Sequence, residues 1–193
     1  MKNRKFQVFS FFLVCFCLIF FISIKDNKKI ETINFEGKTL GFDNLEEMEE
    51  ASPVIVLGTK TKENDTEVFR SDINNDVIGG YTKSSFLISE VYKNNDNKED
   101  IKTNSQITVS EMAFYDKETN AMYTVNDYEN MEFDKEYLLF LVPVDDGMYA
   151  PRGVTTGKVP MFGSNSTLNS LNTVDSDNSD LAIMRDAQLK YKK

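Results

Sequence analysis

Tyr137-Leu138-Leu139-Phe140-Leu141-Val142, closed two residues later by Asp145-Asp146-Gly147, decides how this chain is read. A short apolar run without alternation, bounded by a turn signal, reads as a strand buried on both faces. Asp145-Asp146-Gly147 is a hairpin signal, and Met148-Tyr149-Ala150 is the returning strand. A segment buried on both sides needs other elements to cover it, so the rest of the chain is searched for partners of the same kind.

They lie upstream. Val54-Ile55-Val56-Leu57-Gly58-Thr59-Lys60 is β-branched and apolar, with Pro53 at its start, where no ladder donor is lost. Tyr81 to Tyr92 alternates in part, and Ile107-Thr108-Val109-Ser110-Glu111-Met112 alternates fully. Ala121–Val125 reads as a short strand inside an acidic, polar stretch, 115–132. Residues 61–80, with Gly79-Gly80, read as a loop or hairpin end, and 93–105 as a polar turn. Helix is expected only at the margins. Residues 45–51 are helix formers that Asn44 or Asp43 can cap and Ser52-Pro53 ends. Residues 181–191 place Leu181, Met184 and Tyr191 along one face, with Ser179 or Asp180 as cap. Residues 163–180, rich in Ser, Asn, Thr and Asp, read as a flexible linker. Five or six short strands with helices at the edges predict a mainly β domain over 45–162, a small antiparallel barrel or sandwich.

The first residues carry a different signal. Residues 1–5 are basic, and 6–24 contain no charge, with Gln7, Ser10 and Ser23 the only polar side chains. Nineteen helical residues span roughly 28 Å, close to the hydrocarbon thickness of a bilayer. A signal peptidase wants small residues at two positions before its cut, and Phe20-Phe21-Ile22-Ser23-Ile24-Lys25 offers only Ser23. Val14 and Phe16 precede Cys15 and Cys17, so the lipoprotein pattern is not met. The expectation is an uncleaved transmembrane anchor at 6–24, with a cleaved signal peptide as the competing reading. Residues 25–44 read as a stalk with a short strand at 31–35. Lysines flank the helix on both sides; an N-terminal anchor with its basic end inside places the folded domain outside the cytoplasm. The abundance of Asn, Lys, Ile and Asp points to a bacterial source.

Composition then limits the chemistry. Cys15 and Cys17 are the only cysteines, and the chain has no histidine and no tryptophan. Outside the apolar segment there is therefore no disulfide, no thiolate nucleophile and no Ser-His-Asp arrangement. Lys2, Arg4, Lys5 and Lys25 stand in the first 25 residues without an acid, leaving 18 basic and 31 acidic side chains for the remainder. So acidic a surface repels phosphate backbones, and no nucleic-acid partner is expected.

The order of segments resembles a known family. Ala51–Gly58 opens with small and polar residues before a Val/Ile-rich strand. Ser85-Phe86-Leu87-Ile88-Ser89-Glu90-Val91-Tyr92-Lys93 ends in a lysine and a turn. Phe133–Leu141, followed by Asp146-Gly147-Met148-Tyr149, forms the last hairpin. This series is similar to the netrin-like, tissue-inhibitor-of-metalloproteinase-like OB barrels and to uncharacterised exported bacterial relatives. The resemblance covers about residues 50–162. It implies an OB-like barrel and a binding role. The inhibitors of that family chelate zinc through an N-terminal cysteine, which this chain lacks outside its apolar segment, so that mechanism is not carried over.

Asp72-Ile73-Asn74-Asn75-Asp76 alternates oxygen ligands, but Val77 and Lys83 stand where a calcium loop needs glycine and a carboxylate. Asp175, Asp177 and Ser179, with Asp186, put Asp180 at the glycine place. Glu46, Glu47, Glu49 and Glu50 read as one exposed helical face, and no metal or cofactor is expected. Ser84, Ser85 and Lys83 keep a Ser-Lys hydrolase open. Pro151-Arg152-Gly153 to Gly157-Lys158 is either an ordinary turn or a loop at a barrel mouth. OB barrels bind by aromatic stacking, which makes Tyr81, Tyr92 and Tyr149, with Arg152, the candidate binding surface. Tyr115, Tyr123, Tyr128 and Tyr137 serve equally as ordinary strand residues. The expected function is a membrane-anchored extracytoplasmic binding module with a protein or cell-wall partner. The alternatives are an envelope hydrolase without His or Cys chemistry and an accessory subunit of a membrane complex.

Overall fold

In the computed structural model, which describes residues 30–95, 97–161 and 179–192, the run at Tyr137 becomes the centre of the main sheet. Strand β7 (Glu136–Pro143) pairs along one edge with β2 (Val54–Arg70), from Val54↔Leu141 to Thr59↔Glu136. Its other edge takes β8 (Tyr149–Pro151) and β9 (Lys158–Pro160). Alternation splits its side chains between two cores. Tyr137, Leu139 and Leu141 join Val54, Val56, Phe86, Ile88, Ile107, Val109, Met131 and Tyr149 on one face. Leu138 and Phe140 join Ile55, Leu57, Phe42 and Val159 on the other. This is why the run does not alternate: neither face meets water.

Helices cover the second face. Helix α1 (Leu45–Ala51) buries Leu45 and Met48. Its cap Asn44 accepts from the Glu47 amide at 2.9 Å, and the Glu47 carboxylate accepts from the Asp43 amide at 2.8 Å, which satisfies two otherwise orphaned donors. At its other end Arg152 donates from Nε and Nη2 to the Ala51 carbonyl at 2.9 and 2.7 Å, while Lys93 donates to the Glu49 carbonyl. Two cations thus complete the carbonyl end, where the helix dipole favours positive charge. Helix α2 (Ser179–Tyr191) docks beside it through buried Ile183 and Ala187. Met184 and Tyr191 flank that contact as expected, but the seam is centred on Ile183 and Ala187 rather than on Leu181. Glu49 ties the two helices together, accepting from the Tyr191 hydroxyl at 2.8 Å and pairing with Lys190 at 2.7 Å.

Strand β3 (Val77–Asn94) returns antiparallel along β2, and β4 (Gln106–Glu111) along β3. Strands β2 and β3 run far beyond the core, so residues 61–80, expected as a loop, are mostly the outer half of a long hairpin whose turn is confined to 71–76. Polar strands of this kind carry no periodic signal, because the outer half is packed on one face only. That face rests on a second, three-stranded sheet in the order β1-β6-β5, formed by Glu31–Phe35, Ala121–Val125 and Ala113–Asp116. Phe35, Tyr123 and Phe114 stack there at 5.5 and 5.4 Å between centroids. Val68 and Val77 of the hairpin pack on the same cluster. Gly80 lies where a Cβ would come within 2.8 Å of the Phe114 ring and 2.4 Å of the Glu67 carbonyl oxygen.

Three expectations change. The pairing is not wholly antiparallel: β1 runs parallel to β6, and β4 meets β8 in parallel. Pairing passes from β2 through β3, β4, β8 and β7 back to β2, but the β4–β8 link is the single pair Val109↔Tyr149, and the sheet is not a closed barrel. Thirdly, residues 31–35 and Phe42, within the stretch read as a stalk, belong to the folded unit that begins at Glu31. The basic tail 1–5, the anchor at 6–24 and the linker from 163 to 178 lie outside the described residues. Among those described, no helix is long and apolar enough to cross a membrane.

Candidate functional site

Where β2 leaves the core and enters the outer hairpin, it buries a charge. Lys60 is 1% exposed; its ammonium donates to Glu111 at 2.8 Å and to Glu63 at 2.9 Å. Glu111, at the end of β4, is 0% exposed and also accepts from the Ser84 hydroxyl and the Met131 amide. An ion pair withdrawn from water holds only if its remaining lone pairs are satisfied, and here Ser84 and Met131 complete the carboxylate. Lys158 lies close by, donating to the Glu129 carbonyl with its ammonium 3.9 Å from the centroid of the Tyr128 ring. Burial pushes the Lys158 amine down to about 8, against the pull of the Glu111 and Glu129 carboxylates, with Lys60 adding to the fall. Tyr128 is held well above the usual phenol range, first by burial and then by the charge of Glu111.

The cluster joins a serine to a lysine, but through a carboxylate. Ser84 donates to Glu111 and Lys60 donates to two acids, so the hydroxyl is bonded to a carboxylate rather than to an amine that could accept its proton. Ser84 is itself fully buried. Lys83 and Ser85, the other members of the expected dyad, point elsewhere: Lys83 pairs with Glu67 at 2.8 Å, and Ser85 accepts from Asn64 at 2.9 Å.

Glu63 connects the buried cluster to an open groove of about 590 Å³. One wall is the outer half of β2, with Glu63, Asp65, Thr66, Val68 and Arg70; the other is Tyr115 to Glu118, at the β5–β6 turn. Arg70 crosses it, 2.8 Å from Asp116 and 3.1 Å from Glu118. Burial alone would raise the Asp116 carboxyl, but the Thr119 hydroxyl and amide, Arg70 and the Glu118 amide together bring it down to about 2. The groove is thus fitted with fixed charges, four carboxylates against two bases.

The residues expected to form a binding surface are not brought together. Tyr81 stands on the outer hairpin and donates to Glu67 at 3.2 Å. Tyr92 donates to Glu90 at 3.0 Å and meets the Tyr191 ring edge-on at 4.7 Å; burial, then Glu90, push its hydroxyl up to about 12. Tyr149 is a core residue, 3% exposed, donating to Asp100 at 2.9 Å. Arg152 is committed to the end of α1, and the loop it opens is a turn in which the Gly157 amide returns to the Arg152 carbonyl at 2.8 Å. Around Asp72, Asn74 donates to Asp76, and among the described residues no group of three or more acids is placed to hold a metal. The second acidic stretch begins outside the described residues.

No sequence pattern joins Lys60 to Glu111, and Lys158 enters the sequence reading only as the end of the loop that starts at Pro151. Glu111 carried a usable signal: it continues the inward alternation of Ile107 and Val109, so a carboxylate falls where an apolar residue belongs. No protein-family model matches this chain, and a search of curated proteins found no significant match.

Proposed function

We propose that this chain is a membrane-anchored, extracytoplasmic interaction module built on an OB-like strand order. The order β2, β3, β4, β8, β7 and back to β2, with its parallel contact between β4 and β8, supports the OB-like reading and the netrin-like resemblance. OB folds of this size are commonly partly open barrels. The apolar stretch at 6–24, followed by an acidic folded unit, supports attachment to a membrane.

One observation carries the binding reading over the hydrolase. The groove between β2 and the β5–β6 turn is open and lined with fixed charges, while Ser84 and Lys60 are sealed and bonded to Glu111. Binding grooves are concave and solvent-reachable; a nucleophile must reach its substrate.

Protease treatment of intact cells expressing the full chain with a C-terminal tag tests placement. The expected result is loss of a full-length tagged band without lysis. Protection until lysis would overturn the extracytoplasmic reading. Fluorophosphonate treatment of the same cells is expected to leave the chain unlabelled; a labelled serine would restore the hydrolase.

A further inference from the structure

Strand β2 is longer than its neighbours can cover. Strand β7 pairs with its second edge only from Val54 to Thr59, and the Lys60↔Phe133 bridge and the Asp134 amide bonded to the Lys60 carbonyl end that coverage. From Thr61 to Arg70, among the described residues, no strand pairs with this edge; β3 alone holds the opposite one. An edge of this kind presents a row of unpaired N–H and C=O groups, which is a template for one more strand.

The edge is shaped. Register shifts at Lys60/Lys62 and Glu63/Thr66 bend its first part, and such bulges discourage pairing. Between them and the shift at Phe69/Arg70, Thr66, Glu67, Val68 and Phe69 face Thr82, Tyr81, Gly80 and Gly79 in unbroken register. Thr66, Val68 and Arg70 line the groove, while Glu67 and Phe69 point to the other side, where Phe69 is 45% exposed and packs edge-on against Tyr81 at 5.8 Å. A strand added here would alternate in the same way. One set of its side chains would enter the groove, where the four carboxylates of Glu63, Asp65, Asp116 and Glu118 outnumber the two bases Arg70 and Lys117. The other set would lie beside the exposed Phe69 ring.

We propose that the open edge of β2 at Thr66–Arg70 receives an extended segment of a partner protein, basic on one face and apolar on the other. This rests on the interaction-module reading and gives that module its site. A second copy of the chain is a poor occupant: edge-to-edge pairing would set Glu63, Asp65 and Glu67 against like charges in a chain of net charge −9.

The test uses the full chain in zwitterionic detergent and a fluorescent, end-capped hexapeptide of alternating lysine and valine, followed by anisotropy. The control peptide has the same sequence with alternate amides N-methylated. Saturable binding is expected, weakened at least ~10-fold by N-methylation, since the main chain supplies the affinity in strand addition. Thr66→Pro, which removes an edge amide, and the pair Glu63→Lys with Asp65→Lys are each expected to weaken it comparably, with an unchanged far-UV spectrum. If Thr66→Pro fails to fold, the N-methylated peptide on the unaltered chain decides alone. Equal binding of both peptides would reduce the effect to charge and overturn the proposal. So would a dimer, by sedimentation, that Thr66→Pro dissolves, since it would give the edge to a second copy. No binding of either peptide, with the tagged domain still digested on intact cells, would sink the edge while leaving the interaction module standing.

Discussion

One strand, β2, lives in two environments, and the contrast explains most of the molecule. Its inner half, Val54–Lys60, has strands on both edges and cores on both faces, and all but Thr59 is buried. Its outer half, Thr61–Arg70, has one paired edge, rests one face on the small sheet and leaves the other in water. The backbone is the same; what differs is how many sides are covered. The inner half is built for stability, each large buried side chain contributing roughly 1.5–3 kcal/mol. The outer half leaves one backbone edge without a partner strand among the described residues.

The joint between the halves is the place to break the contrast hardest. Glu111→Ala leaves the Lys60 ammonium buried without its inner acid, and also strips the acceptor from Ser84 and the Met131 amide. Removing one partner of a buried, bonded pair costs about 3–5 kcal/mol. Urea unfolding should show that loss as a lower midpoint for the whole unit. If the stability fell by less than ~1 kcal/mol, Glu63 or water would have to satisfy Lys60 without Glu111, and the joint would not be sealed.

Glycines sharpen the comparison next. A Cβ on inner Gly58 would lie 2.1 Å from the Leu87 carbonyl oxygen, and one on outer Gly80 2.4 Å from the Glu67 carbonyl oxygen. Overpacking costs about 1–3 kcal/mol at either site. The readout separates them. Gly58→Ala should accelerate amide exchange throughout the main sheet. Gly80→Ala should accelerate it in the outer hairpin and the small sheet alone. Global exchange from both would show that the two halves open as one cooperative unit.

Legibility in the sequence follows the same division. The inner strands announce themselves because burial on two faces demands runs such as Val54–Leu57 and Tyr137–Val142. The outer hairpin does not, since Lys62-Glu63-Asn64-Asp65-Thr66-Glu67 satisfies a strand packed on one face as well as it would a loop. Tyr149 and Arg152 look like surface chemistry in a string of letters, and only the fold shows the phenol bonded to Asp100 and the guanidinium on Ala51. The parallel contacts of β1 with β6 and of β4 with β8 join segments far apart in the chain, which no local pattern encodes. The groove is a product of that topology, so its residues carried no motif.

Acid probes the outer half specifically. Asp116 has its folded pKa lowered from 3.8 to about 2, so its contribution is complete above 3.8 and is lost as pH falls from there toward about 2. Asp116→Asn should remove that slope, on the order of 1 kcal/mol, from the acid limb of a stability–pH curve. An unchanged limb would mean that Arg70 and Thr119 do not hold the carboxylate in solution.

The smallest effect tests whether the outer face is free. Phe69 touches Tyr81 edge-on but is otherwise near half exposed, so Phe69→Ala should cost only about 0.5 kcal/mol, the low end for an aromatic pair. Inner Phe86, fully buried in the main core, should lose about 3–5 kcal/mol when cut to alanine. A ring that contributes so little to folding is free to contribute elsewhere: the same Phe69→Ala variant should weaken the lysine–valine peptide several-fold more than its stability change explains. If both losses were equally small, the apolar half of the proposed recognition would be gone and only the acidic wall of the groove would remain to choose a partner. If stability fell as far as for Phe86, the exposed face would be covered in solution, and the two halves of β2 would be more alike than their burial indicates.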